Sequence, residues 1–254
     1  MLRTNQLKLA LAQRREVFGV LASLPTAASI ELIAEAGFDF VVIDCEHVLI
    51  NPETIEHMIR TAESYALTPL VRVADDDPKT LLRLLDGGAQ GIVLPSVEDP
   101  ERLGMAAQAC RYAPQGTRSL NAGRPGAFGK HSLAEYVHKA NDEILVVAMI
   151  ESRTGVESID ALCAVPGVDL ILEGAADLSQ SLGVTWQTAH PEVTDALARV
   201  QRSAAEHGIP YAAFLRHAGA KAEWRERGVH TFMLGDERGI AFRALSQALQ
   251  EAAS

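Results

Sequence analysis

Two carboxylates, Glu151 and Asp177, follow short apolar runs, Ala148-Met149-Ile150 and Leu170-Ile171-Leu172, the second through Glu173-Gly174-Ala175-Ala176. A charged group at the end of a buried strand is costly unless it meets a cation or takes a proton. If the two strands are neighbours, the carboxylates converge on one hard cation, with water or substrate oxygens filling its other positions. Two protein ligands suit Mg2+ or Mn2+ better than a closed structural zinc site. A structural account stands beside this one. Glu151 would then pair with Arg153 or Arg72, and Asp177 would cap a short helix over 178–182.

Asp44-Cys45-Glu46-His47 closes another apolar run, Val41-Val42-Ile43. An imidazole titrates near neutrality, and a flanking carboxylate can orient it for proton transfer. The alternative is a surface histidine before the helix start at Asn51-Pro52. Arg72, inside Leu70-Val71-Arg72-Val73, needs an anion: Glu151, a substrate carboxylate or an enolate. Cys45 is read as a packed thiol rather than a nucleophile. His57, His131, His138, His190, His207, His217 and His230 show no metal-ligand spacing and are read as helix-face or turn residues. Gly87-Gly88 precedes a strand, so it stops a helix and does not cradle a phosphate.

These groups are useful only if one scaffold gathers them. Apolar runs near 17–21, 38–43, 69–73, 91–94, 144–150, 169–172, 210–214 and 230–234 read as strands buried on both faces. Amphipathic stretches at 27–36, 52–65, 78–85, 98–111, 155–163, 191–207, 218–226 and 239–251 read as the crossover helices. Eight strand-helix pairs predict a single (β/α)8 TIM barrel over residues 1–254, with an N-terminal helix. In such barrels the reactive groups lie at the C-terminal ends of the strands, where all the candidates above fall. The stretch 112–140, rich in Gly and Pro, is too long for an ordinary connection. It is expected to form an ordered flap after the fourth βα unit, over the active-site face or at a subunit contact.

Composition excludes other classes. With 48% hydrophobic and 22% charged residues the chain can bury a large core. A formal charge of -10 and the lack of any Lys/Arg run argue against nucleic acid as a partner. Three cysteines without a CxxC fit a reducing compartment, and a cytoplasmic location is expected. The apolar stretch 17–28 after Arg14-Arg15 is broken by Pro25 and is too short to span a bilayer, so no membrane association is expected.

The ordered set Asp44-Cys45-Glu46-His47, Val71-Arg72-Val73, Ile150-Glu151 and Gly174-Ala175-Ala176-Asp177-Leu178-Ser179 resembles the HpcH/HpaI family of class II 2-oxo acid aldolases. The likeness runs over nearly the whole chain, including Arg111-Tyr112-Ala113-Pro114-Gln115-Gly116-Thr117-Arg118. It implies that Glu151 and Asp177 bind the metal, that Arg72 stabilises an enolate, and that His47 with Asp44 moves protons. It further implies that Gly174, Ala175, Ala176 and Glu46 bind the substrate, pyruvate or oxaloacetate, and that the protein assembles as a homo-oligomer, a hexamer or dimer. No organic cofactor is implied. Met149, Glu173 and Ala175 depart from the aldolase pattern, as does Leu234-Gly235-Asp236-Glu237-Arg238-Gly239. The stretch from Glu173 to Gly183 is more similar to the branch serving as a citrate synthase in carboxylate-siderophore (staphyloferrin B type) biosynthesis. Two enzymatic readings follow: an aldolase with an aldehyde partner, or a synthase condensing oxaloacetate with acetyl-CoA. Arg118, Arg124 and Lys130 in the flap are the clustered cations available for the CoA phosphates. A non-catalytic barrel that merely binds a 2-oxo acid is a third reading, disfavoured because unused charged strand ends destabilise a fold.

Overall fold

The computed structural model describes residues 3–130 and 132–253, so His131 lies outside the described residues. Eight parallel strands close in sequence order: β1 (Val17–Ala22), β2 (Phe40–Asp44), β3 (Thr68–Arg72), β4 (Gly91–Leu94), β5 (Leu145–Ile150), β6 (Leu170–Glu173), β7 (Tyr211–Phe214) and β8 (Thr231–Asp236). The last strand pairs with the first, Val17 beside Thr231. This is the expected (β/α)8 barrel.

The helices are α1 (Gln6–Ala12), α2 (Ala27–Glu35), α3 (Pro52–Ser64), α4 (Pro78–Gly87), α5 (Pro100–Ala109), α6 (Leu133–Glu143), α7 (Arg153–Glu157), α8 (Ile159–Cys163), α9 (Ala175–Ser181), α10 (Pro191–Glu206), α11 (Ala220–Glu226) and α12 (Glu237–Ala253). Three of them begin alike. Asn51, Asp77 and Asp99 accept bonds from Thr54, Lys79 and Glu101 N–H groups, and Pro52, Pro78 and Pro100 occupy the first helical turns. The helix expected over 155–163 is two short ones, interrupted at Ser158.

Alternation along each strand sorts the apolar residues into two layers. Val41, Ile43, Val71, Ile92, Val146, Ala148 and Ile171 pack outward against the helices. Phe40, Val42, Leu70, Val93, Val147, Met149, Leu172, Ala212 and Met233 fill the barrel. A side chain on Gly19 of β1 would meet the Phe40 ring at 2.2 Å, so the interior reaches that packing only with glycine there. Leu7 and Ala10 of α1 join the same cluster and plug the N-terminal end of the barrel. Asn5 ties α1 down, donating to the carbonyls of Gln90 and Glu143.

Of the two placements expected for the long segment after β4, the one over the active-site face is not observed. Helices of a βα unit run back from the mouth, so the C-terminal ends of α3 and α4 lie at the opposite end of the barrel. There Arg118 pairs with Asp86 at 2.7 Å, and Arg124 pairs with Glu63 and donates to the Gly87 carbonyl. Arg118 also lies 4.6 Å over the Tyr112 ring, which packs with Tyr136 and Ala140. Its described residues are anchored at the end away from the reactive strand ends. Arg118 and Arg124 are therefore already engaged, far from the mouth, and do not form a phosphate site beside it. No helix among the described residues is long and apolar enough to cross a membrane.

Candidate active site

The parity that fills the barrel also fills its mouth. Asp44 follows inward-facing Val42, Arg72 follows Leu70, Glu151 follows Met149, and Gly174 follows Leu172. Each therefore continues an interior row at a C-terminal strand end. Asp44, Arg72 and Glu151 are 1%, 5% and 3% exposed, a depth at which each needs a partner.

Asp44 and Arg72 are register partners on β2 and β3. Arg72 Nε donates to Asp44 Oδ1 at 3.0 Å, and Nη2 lies 2.9 Å from Oδ2, a two-point pairing of fork and carboxylate. The N–H groups of Glu46 and His47 donate to Asp44 Oδ1 at 3.1 and 3.4 Å. Burial raises the Asp44 pKa, but Arg72 and these N–H groups outweigh it and hold the group below its ordinary value. Arg72 Nη1 faces Glu46 Oε2 at 3.1 Å and Met149 Sδ at 3.9 Å. The anions beside Arg72 are thus Asp44 and Glu46, and Glu151 acts on it only through space. Cys45, half-buried beside them, has its pKa pushed up to about 12 by burial and by Asp44, which leaves the thiol un-ionised.

His47 is differently placed from its expected dyad. Its ring Nε2 lies 3.7 Å from Glu46 Oε2, and its side chain is 58% exposed. No ion pair joins the imidazole to Asp44 among the described residues, because Asp44 is spent on Arg72 and the loop N–H groups. The carboxylate beside its ring is Glu46, within ion-pair range but beyond hydrogen-bond distance.

Glu151 is held on one side only. Oε1 accepts from the Ser96 N–H at 2.6 Å and the Ser96 hydroxyl at 3.2 Å, while Oε2 is buried without a hydrogen-bond partner. Burial, then the nearby charges of Glu46 and Asp177, raise its pKa to about 7 against the Ser96 bond and Arg72. Neither Arg153 nor Arg72 pairs with it. Ser96, just past β4, was missed from the sequence. Its signal is conformational, a φ of 49° in the left-handed region that a non-glycine residue adopts only under constraint.

Gly174 makes room for that free oxygen, since a Cβ there would lie 2.4 Å from Glu151 Oε2. Helix α9 starts directly afterwards with no side-chain cap, leaving its first N–H groups without intrahelical acceptors. Asp177 is not the cap of a helix over 178–182. It lies within the first turn of α9, exposed, where a negative charge is favoured by the helix dipole. Among the described residues no group of three or more Asp, Glu, His or Cys is arranged to hold a metal. A divalent cation would therefore take two carboxylates and complete its shell elsewhere. The donor set fits that group: a buried carboxylate oxygen lacking a donor, a glycine cradle beside it, and a second carboxylate felt through space.

The chain matches the family model described as HpcH/HpaI aldolase/citrate lyase over residues 18–244. It is 32% identical over 248 residues to the 5-keto-4-deoxy-D-glucarate aldolase of Escherichia coli, covering 97% of this chain and 96% of that one. Among solved structures it resembles the citrate synthase SbnG at 42% identity and a TM-score of 0.92, with 98% and 97% of the two chains covered. It also resembles an HpcH/HpaI aldolase from Desulfitobacterium hafniense DCB-2 at 31% identity and a TM-score of 0.93, with the same coverage. The chain belongs to the HpcH/HpaI aldolase/citrate lyase family and is an enzyme of that family.

Two outcomes test this geometry. Asp44→Ala strands a buried guanidinium, so it should cost about 3–5 kcal/mol in denaturant unfolding. Asp177→Asn, at an exposed position, should cost less than about 1 kcal/mol, and equal losses would contradict the placement. The pKa of Glu151 is raised in the folded protein from 4.5 to about 7, so the folded state binds that proton more tightly. The stability this proton contributes is full below about 4.5 and is lost as pH rises through about 7. A cation must displace the same proton. Mg2+ affinity by calorimetry should climb about tenfold per pH unit up to about pH 7 and then level, whereas affinity independent of pH would exclude Glu151 as a ligand.

Proposed function

We propose that this enzyme makes or breaks a carbon–carbon bond beside the carbonyl of a 2-oxo acid, pyruvate or oxaloacetate, at the mouth formed by Asp44, Arg72, Glu151 and the start of α9. The observation that carries this reading is Glu151 Oε2, buried, without a donor and cradled by Gly174. Such an oxygen is costly in a resting fold and useful to a cation or a protonated partner.

Glu151 and Asp177 would hold a divalent cation, Mg2+ or Mn2+. Bound there, the cation supplies Lewis-acid polarisation of a carbonyl oxygen. The remaining roles belong to the chain. The N–H groups at the start of α9, around Gly174, Ala175 and Ala176, receive the oxo-acid carboxylate. Arg72, locked by Asp44, presents its Nη1 edge to negative charge developing on oxygen in the transition state. Asp44 is a positioning residue for Arg72. His47 is exposed at the rim with the Glu46 carboxylate beside it, and would exchange protons with the reacting oxygen through water. Met149 offers Arg72 Nη1 only a weak sulfur acceptor, Sδ at 3.9 Å, where an amide side chain would offer a stronger oxygen.

The second reading is the citrate-forming one, condensing oxaloacetate with acetyl-CoA. It is favoured by identity of 42% to SbnG, a citrate synthase, against 31% to the D. hafniense aldolase, over equal coverage. Both readings use the same grip on the oxo acid and differ in the partner.

The purified protein with Mg2+, offered pyruvate plus short aldehydes and, separately, oxaloacetate plus acetyl-CoA, should form product in one mixture. Arg72→Lys keeps the charge but not the planar fork, and should lower kcat by about 10²–10³ with KM little changed. A change in KM alone would make Arg72 a ground-state clamp, and no product in either mixture would overturn the reading.

We also propose a homo-oligomer. Helix α12 buries no residue of its own, and Phe242, Leu245 and Leu249 are each 72% exposed along one side of it. An apolar face of that extent marks an interaction surface. Sedimentation at micromolar protein should show a dimer or hexamer, and a monomer would refute this assembly.

A further inference from the structure

A cavity of about 610 Å³ lies at the opposite end of the barrel from the mouth, against the first residues of β5, β7 and β8, Leu145, Tyr211 and Thr231. Helix α1 contributes one side, and the C-terminal ends of α10 and α11 contribute the other. Its size is that of a small-molecule site. Its wall is basic. Lys8, Arg14, Arg15, Arg227 and His230 line it against a single carboxylate, Asp169. The chain as a whole carries a formal charge of -10, so this concentration of cations runs against its composition.

The carboxylates at this end are already used. Asp169 Oδ1 lies 2.9 Å from Lys8 Nζ, and Oδ2 accepts from Arg111 Nη2 at 2.7 Å and from the Val146 N–H at 2.8 Å. Asp39 pairs with Arg15 at 3.1 Å. Arg14 and Arg227 meet no carboxylate among the described residues, and both are exposed. The Arg227 guanidinium carbon stands 5.1 Å from the centre of the Trp224 ring, which leaves its N–H donors free. Each arginine lies near the carbonyl end of a helix, α1 or α11, where a cation is favoured. That accounts for a positive charge at each place, but not for an arginine at position 14. Its φ is 52°, in the left-handed region where a helix stop ordinarily has glycine. The Arg14 and Arg15 N–H groups close that stop on the Leu11 and Ala10 carbonyls. Keeping a side chain at this costly position puts a guanidinium in the cavity wall.

We propose that this cavity is a second ligand site, remote from the mouth, for a small metabolite carrying at least two acidic groups, a phosphate ester or a polycarboxylate. Arg14 and Arg227 make the charge-assisted contacts, one from the α1 side and one from the α11 side. Lys8, Arg15 and His230 add donors around them. A monovalent anion would leave part of this positive charge unmet. A ligand held from both sides ties the N-terminal helix to the barrel. The site stands or falls independently of the reaction at the mouth.

The test is calorimetric titration of the metal-free protein with pyrophosphate and, separately, with tricarballylate, at about 0.15 M salt so that diffuse attraction is screened. At least one should bind and raise the Tm, and which of them binds distinguishes a phosphate ester from a polycarboxylate. Arg14→Gly suits the left-handed backbone, so the variant should keep its fold by circular dichroism while the anion binds about 10- to 100-fold more weakly. Arg227→Gln should weaken it to a similar extent. Lys79→Gln removes an exposed positive charge from the start of α4, outside the cavity, and should change the affinity less than about twofold. Binding of neither anion overturns the proposal. So does an affinity that survives both arginine changes, or one that falls as far with Lys79→Gln.

Discussion

Asp44 and Arg72 face each other as register partners on adjacent strands, almost sealed from water, and the rest of the mouth is arranged around that contact. A guanidinium inside a barrel would be intolerable alone, and so would the carboxylate. Together they fix Arg72 in one orientation, so that its remaining edge points at Glu46 and Met149. Because Asp44 is consumed by this pairing, Glu46 becomes the group beside His47. Because Arg72 is turned to Asp44 and Glu46, it makes no ion pair with Glu151. The raised pKa of Glu151 and its unpartnered oxygen follow from one cause: a carboxylate closed into a dry strand end whose nearest positive charge is already spent.

The barrel was readable because strands buried on both faces are written as nearly uninterrupted Val, Ile and Leu, and because Asn51-Pro52, Asp77-Pro78 and Asp99-Pro100 mark helix starts by chemistry rather than by frequency. The inward set of charges was readable by the same alternation, since Asp44, Arg72 and Glu151 lie two residues past interior apolar positions. Other features depend on contacts distant in sequence. The flap looks like a lid by composition, yet its direction is set by Arg118 meeting Asp86 and Arg124 meeting Glu63, pairings that no local pattern announces. The role of Ser96 resides in a backbone angle. Asp177 resembled a cap because acidic residues favour helix starts, and the helix in fact begins two residues earlier, at Ala175.

Proteins with this fold and comparable identity are named for different reactions, an aldolase in one case and a citrate synthase in another. The geometry accounts for how one scaffold serves both. The groups proposed to handle the oxo acid sit on β2, β3, β5 and the start of α9, at the C-terminal ends of the strands. Beside them lie Met149, beneath Arg72, and Glu173, turned outward to Tyr211 and Arg216.

On the proposed function, this mouth generates an enolate next to a carbonyl. Proton exchange reports that step whichever partner is used. Pyruvate, and acetyl-CoA with oxaloacetate, can be incubated in D2O with the enzyme and Mg2+ while the methyl protons are followed by NMR. The account predicts that one of these methyl signals is lost far faster than with metal alone, and that Arg72→Lys suppresses the loss. Methyl signals that persist at the metal-only rate in both mixtures would contradict it.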